Sequence, residues 1–490
     1  MAALPDDLRK SFQYGQKLIQ RAQKLMSQHQ WDKALSYLQE AQKVFVETES
    51  PLAEAQVYFL MGVIAEQQNR FHDALQSYTR CFELRSKIGT TMIKAETALK
   101  MAQMEMHLSA FEEAHDHAQK AIELLEHEPD PVLRLDAFFT NGTIFFLEGN
   151  LESAEFYYSL AEDARLDIPS TIRPQNILNF QENFATIKQI LGKFTESNDI
   201  FQKVLAEEYR LKNYFPVASI LEQMAVNYKE MENKEAALGC IEDAYQIRKT
   251  HLNPQIFAAY IRNHLLHAEI AAQFHDLEKA KEKTEASIII AEEHHLLIQL
   301  CESLLKMGKW FIESARHIPD HVSLSQKYLD EALSLAKSTQ NVDLLLQYYI
   351  LMIQLSRIIS PDTDYNNLLT EIENLLPMVG LNSLLYHKIQ GFLHRYRGFQ
   401  YYSTQEWDLA QKAFQQALHH FTQGHCYSER AESHYNIACT SAIVGIPESV
   451  ITHLQQAILL NKKYKTIALH DADLKGIWKE KFFQDHTKED

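Results

Sequence analysis

The sequence predicts an all-α chain, a solenoid of about eleven helical hairpins, and three observations carry that prediction. Glycine (14) and proline (12) are scarce among the 490 residues, fewer turn residues than a sheet-rich fold needs. Small residues recur along the chain as a triplet with spacings of 12 and then 7. No linker long enough to separate independent domains interrupts the recurrence, so the length counts hairpins and not domains.

The triplets are Ala22/Ala34/Ala41, Gly62/Ala74/Cys81, Ala102/Ala114/Ala121, Gly142/Ala154/Ala161, Ala185/Ser197/Val204, Ala225/Ala237/Ala244, Ala268/Ala280/Ser287, Gly398/Ala410/Ala417 and Ala438/Val450/Ala457. Only two of these 27 positions, Val204 and Val450, are not small, where about five or six small residues would fall by chance. A spacing of 7 is two helical turns and places the second and third small residues on one face of one helix. The spacing of 12 crosses a tight turn, so the first small residue lies on a preceding antiparallel helix. Small side chains at facing positions let the two backbones interlock.

This register resembles the tetratricopeptide repeat, in which Gly or Ala, Ala and Ala hold the same relative positions and an aromatic follows four residues beyond the second. Tyr78, Tyr158, Phe201 and Phe414 match that fourth element, whereas Leu38, Ala118 and Ile241 depart from it. First small residues recur at 22, 62, 102, 142, 185, 225, 268, 308, 398 and 438, a period of 40 to 43. That period is similar to the long-helix variant of the family found in Pins/LGN adaptors, kinesin light chains and Rap-type regulators. HEAT and armadillo units share the period, but the small-residue triplet argues against them. The resemblance implies a right-handed superhelical α-solenoid with a concave face lined chiefly by first helices.

The expected organisation is a single solenoid over 1–490. Residues 1–14 form an N-terminal cap with acidic residues at a helix start, 15–340 hold repeats one to eight, and 341–380 a degenerate ninth repeat without the triplet. Residues 381–465 hold repeats ten and eleven, and 466–490 a C-terminal capping helix and tail, in which Asp471, Asp473, Leu474, Trp478 and Phe482 fit the closing pattern of the family. An insertion at 316–321 displaces the second helix of repeat eight, and Pro131, Pro169 and Pro174 mark joints between repeats.

Formal net charge is -17, a field that repels nucleic acid and anionic lipid and favours a basic partner. Five scattered cysteines form no disulfide framework and fit a reducing, cytoplasmic setting. No Walker sequence, HExxH, GxSxG or CxxC pair occurs, and Gly192-Lys193 reads as a turn. His264, His267 and Glu269 have metal-ligand spacing but no third strong ligand, and read as a polar helix face. The expectation is therefore a protein without cofactor, metal or catalytic residues.

Function is left to the concave groove, which in such arrays binds extended peptides or helices. The resemblance places groove residues three or six positions before, and one after, the first small residue. That gives Asn179, Glu182 and Thr186, with Asn183 beside them, then Ser219, Glu222 and Val226, then Arg262, Leu265 and Glu269, and finally Arg395 and Phe399. The carboxylate-gripping pattern of co-chaperone repeats is not met, since repeat one has Ile19 and Gln23 at its positions. The expected function is a non-enzymatic adaptor or scaffold holding a peptide or helix of a partner protein. The alternative is a peptide-sensing regulator of Rap-like type, although the register begins by Ala22 and leaves no room for an N-terminal bundle.

Overall fold

The computed structural model of the chain describes residues 6–126, 130–168, 177–360, 363–380 and 383–477. The described residues are helical with no strand, and twenty-two helices follow one another from Asp6 to Leu460, with ten antiparallel pairs inside the two units and α9 and α10 on either side of their boundary. The chain divides into two compact units, Met1–Ile187 and Lys188–Asp490, where the sequence suggested one uninterrupted array. The boundary falls in the helix after the widest gap in sequence between described helices, from Leu166 to Ile177. Pro169 and Pro174, expected to mark joints there, lie outside the described residues.

Unit 1 holds four antiparallel pairs: α1 (Asp6–Met26) with α2 (Trp31–Glu47), α3 (Pro51–Gln67) with α4 (Phe71–Ile88), α5 (Thr91–His107) with α6 (Phe111–Leu125), and α7 (Pro131–Leu147) with α8 (Leu151–Leu166). Most of α9 (Ile177–Ile190) follows. Residues 6–14 are not a separate cap, because α1 runs through them into the first repeat. The reason is a second layer of close packing: a Cβ at Gly15 would lie 2.7 Å from the Phe45 ring, so the helix must extend this far to cover it.

Unit 2 continues with α10 (Phe194–Leu211), then α11 (Tyr214–Glu230) with α12 (Lys234–Thr250), α13 (Phe257–Gln273) with α14 (Leu277–Glu293), and α15 (Leu297–Ala315) with α16 (His321–Ser338). The pairs α17 (Val342–Ile359) with α18 (Asn366–Leu375), α19 (Leu384–Ser403) with α20 (Trp407–Gln423), and α21 (Tyr427–Val444) with α22 (Pro447–Leu460) complete it. The short α23 (Lys463–Ala468) and a 3-10 turn, Ala472–Ile477, close the described chain. Leu474 is buried with Tyr435 and Tyr464, Tyr435 Oη donates to Asp471 Oδ2 at 2.7 Å, and the Tyr402 hydroxyl bonds Asp473. Those are the expected closing residues; Trp478 and Phe482 lie outside the described residues.

All 27 triplet positions are buried. Their packing follows one rule, in which the first small residue faces the residue four beyond the second. A Cβ at Gly62 would lie 2.6 Å from Tyr78, at Gly142 2.5 Å from Tyr158, and at Gly398 2.6 Å from Phe414. Three of the alanine-first pairs have a smaller residue at that position: Ala22 shares its cluster with Leu38, Ala102 with Ala118, and Ala225 with Ile241, whereas Ala185 keeps an aromatic there, Phe201. Interiors are close-packed, so at the glycine positions one methyl on one helix would displace ring atoms on the other.

The turn inside each pair also repeats. Seven residues after the first small residue the backbone is left-handed, at His29, Asn69, Ser109, Gly149, Gly192, Glu232, His275, Gln405 and Gly445. Six of these nine are not glycine, which accounts for the low glycine count in a chain with so many turns.

The ninth pair packs by different means. Leu344, Tyr348, Leu351 and Leu355 of α17 join the core of α15 and α16. Leu346, Ile350 and Ile353 face α18 and α19. Large apolar residues on both flanks replace the small triplet, and α17 is long and apolar enough to cross a membrane by length and composition. The insertion expected at 316–321 lies between the end of a 19-residue α15 and the start of α16, and Ser325 Oγ still donates to the Gly308 carbonyl at 3.0 Å.

Two predictions follow from this packing. Gly398→Ala should cost about 1–3 kcal/mol of stability in denaturant unfolding, against alanine's helix preference of about 1 kcal/mol. Adding Phe414→Leu should recover most of that loss, giving a coupling of at least about 1 kcal/mol in the double-mutant cycle. Glu232→Gly should stabilise by about 1 kcal/mol in the same measurement, since it relieves a left-handed non-glycine residue.

Candidate functional site

Unit 2 carries a half-open cavity of about 850 Å³. The lining comes almost wholly from first helices, as an array of this kind requires: α15, α17, α19 and α21, with Lys463 added from α23. Its floor is apolar, with Ile312, Ile350, Leu351, Ile389 and Phe392. Above the floor stand seven cationic side chains, Lys306, Lys309, Arg316, Arg357, Lys388, Arg395 and Lys463, against three carboxylates, Glu313, Glu429 and Glu432. An acidic groove for a basic partner was expected from net charge, and this lining is the reverse. Net charge sums the whole surface and carries no information about which face holds which sign.

The cations are held in different ways. Arg395 is 5% exposed, donates from one guanidinium nitrogen to Glu432 Oε2 at 2.7 Å, and lies 4.6 Å from the Phe392 ring centre. Its Nε is buried without a hydrogen-bond partner. Arg357 stacks over the Phe399 ring at 3.6 Å. Burial, with the Arg395 charge adding to it, holds the Arg357 guanidinium below its ordinary pKa against Tyr365 and Tyr396. Burial and Lys306 likewise lower Lys309. Burial raises Glu269, but Lys306, Lys229 and Lys309 outweigh it and hold that carboxyl down at about 2. Partly desolvated cations crowded in this way produce a positive field that water screens poorly.

Of the residues marked from the sequence, Arg395 lines the cavity, Phe399 supports Arg357, and Glu269 pairs with the cavity residue Lys306. Glu222 is taken up elsewhere: Arg248 clamps both its oxygens at 2.6 and 2.7 Å, Asn263 donates to it at 2.9 Å, and Arg248 also reaches Ser219. Arg262 is exposed, and its charge only partly offsets the burial that raises the Glu302 carboxyl, while Leu265 is buried. Asn179, Glu182, Asn183 and Thr186 belong to unit 1; Asn179 and Asn183 are exposed, and Thr186 Oγ1 donates to the Glu182 carbonyl at 2.9 Å.

Sequence reasoning missed Lys306, Lys309, Arg357 and Lys388. The same offset applied to Gly308 marks Leu305 and Lys309, both in the lining. Arg357 sits in the repeat without a triplet, so no register pointed to it.

His264 and His267 do not form a polar face. They are 5% and 6% exposed, both ring nitrogens of His264 and Nδ1 of His267 lack partners, and His264 meets the Tyr245 and Tyr260 rings edge-on. Glu269, two residues beyond His267, turns away to Lys306. Burial, then the Lys283 charge, pushes both imidazoles down to about 4. The thiols are also shifted by burial, Cys240 up to about 11 and Cys301 and Cys426 up to about 12. Raised thiols are poor nucleophiles.

The buried pair and the buried imidazoles each make a prediction. Glu222→Ala leaves Arg248 charged and unpaired in the core, and should cost about 3 kcal/mol of stability by denaturant titration. An unfolded imidazole titrates near 6.5 and these near 4, so their contribution is complete above pH 6.5 and falls as pH drops toward 4. Unfolding midpoints measured from pH 7 to 4.5 should decline, and His264→Leu with His267→Leu should flatten the decline.

Residues 14–87 match the tetratricopeptide repeat family. No curated protein sequence matches the chain. Among solved structures, a Rap protein complexed with competence and sporulation factor is 13% identical at TM-score 0.43, covering 81% of this chain and 99% of that one. BtubC from P. vanneervenii is 17% identical at TM-score 0.39, over 46% of this chain and 92% of its own. A tetratricopeptide repeat protein from Parabacteroides merdae ATCC 43184 is 18% identical at TM-score 0.37, over 59% and 98%. Residues 14–87 match the tetratricopeptide repeat family, and the helices after them continue as an all-α array that repeats the spacing of that segment.

Proposed function

We propose that the protein is a non-enzymatic scaffold that holds an acidic segment of a partner protein in the cavity of unit 2. The observation that carries this reading is the sign of the lining: seven cationic side chains to three carboxylates in a chain whose net charge is -17. A charge distribution that concentrates cations on one concave face favours an anionic occupant and steers it there. The apolar floor offers burial to the hydrophobic side chains of the same segment. The raised thiols and the absence of catalytic motifs support a binding role. The five free cysteines support a reducing, cytoplasmic setting.

The test is fluorescence anisotropy with a labelled peptide alternating glutamate and leucine, against its lysine counterpart. The acidic peptide should bind and the basic one should not, with affinity falling as salt rises. Arg357→Gln combined with Lys388→Gln should weaken binding about tenfold or more, with helix content unchanged. Equal affinity for both peptides, or an unchanged affinity in the double variant, would contradict the reading.

A further inference from the structure

Within unit 2, residues 237 positions apart meet: the Tyr427 hydroxyl, at the first residue of α21, donates to the Ile190 carbonyl at 3.1 Å. The same ring covers the turn that follows. Gly192 is left-handed with φ of 75°, and a Cβ there would lie 2.6 Å from Tyr427 Oη, so glycine is required for both backbone and space. Phe194 meets the Tyr427 ring edge-on at 6.0 Å, and the Arg430 guanidinium lies 5.3 Å from its centre on the α21 side. Elements of a linear hairpin stack touch only their neighbours. Here the helices from α10 to α21 pack in succession, α18 meeting α19 through the apolar cluster they share with α17, and α21 then returns to the turn that leads into α10. Lys229, at the end of α11, and Glu429 of α21 also lie within electrostatic reach of one another across the interior.

The contact is slight beside the stack it closes. Among the described contacts it shows one side-chain hydrogen bond and one edge-to-face ring pair, whereas successive helices bury whole apolar faces. Local opening takes the weakest junction first. We propose that unit 2 is a ring held shut by a clasp, Tyr427 on the turn from Ile190 to Phe194, and that this clasp opens to admit a segment sideways to the cavity. The clasp stands on geometry alone; that the admitted segment is acidic rests on the function proposed above, so the test uses no ligand.

Gln354 lines the cavity, and a Gln354→Cys variant places a thiol there. Its modification by N-ethylmaleimide and by a polyethylene-glycol maleimide is followed by peptide mass spectrometry, with Tyr427 intact, Tyr427→Phe and Tyr427→Ala. The clasp predicts that Tyr427→Ala speeds the bulky reagent about tenfold or more, leaves the small one unchanged, and preserves helix content; Tyr427→Phe falls between. Equal bulky-reagent rates would show that Tyr427 guards nothing. Faster labelling by both reagents, or lost helicity, would make Tyr427 a core residue of the stack and equally overturn the proposal.

Discussion

The structure depends on one steric relation, the fit between the first small residue of each pair and the residue four beyond the second. Gly62 against Tyr78, Gly142 against Tyr158 and Gly398 against Phe414 hold paired helices at the distance where a single added methyl would overlap a ring. Alanine takes the first position where the opposing residue is Leu38, Ala118 or Ile241. The size of the opposing residue varies from pair to pair, and at the glycine positions it is large. Close-packed interiors penalise a change on one side alone. Everything else, including which first-helix side chains reach the inner face, follows from the register this fit imposes.

That register explains why charge collects as it does. Once small residues fix the pairing face of a first helix, the positions one turn before and one residue after are left for the inner surface. In α15 and α19 these carry Lys309 and Arg395. In α17, large apolar side chains do the packing on both flanks, and Arg357 is directed inward over Phe399. The result is a basic interior in an acidic protein. Arg395 is partnered by Glu432, while Arg357 is supported by a ring instead of a carboxylate, leaving its hydrogen-bonding edge suited to an anionic group.

Much of this was legible in the sequence. The pairing of helices follows from the spacings of 12 and 7, and Asp471, Asp473 and Leu474, which stand out in the sequence, lie in the last described turn, with Leu474 buried. The division into two units was not legible, because the triplet reports packing within a pair and says little about how one pair meets the next. The cavity was only partly legible. Arg395 was found by offset from Gly398, whereas Arg357 has no triplet to count from. Glu222 shows the limit of an offset rule: its position is that of a groove residue, but a buried Arg248 on the partner helix claims both its oxygens. The sign of the groove was misjudged because net charge was treated as though it were spread evenly.

The most direct test of the account is hydrogen exchange of the whole chain with and without a glutamate-rich peptide. A cavity that receives an acidic segment predicts added protection confined to α15, α17, α19 and the start of α21, and lost at high salt. Protection confined to unit 1, or spread evenly over every pair, would contradict it.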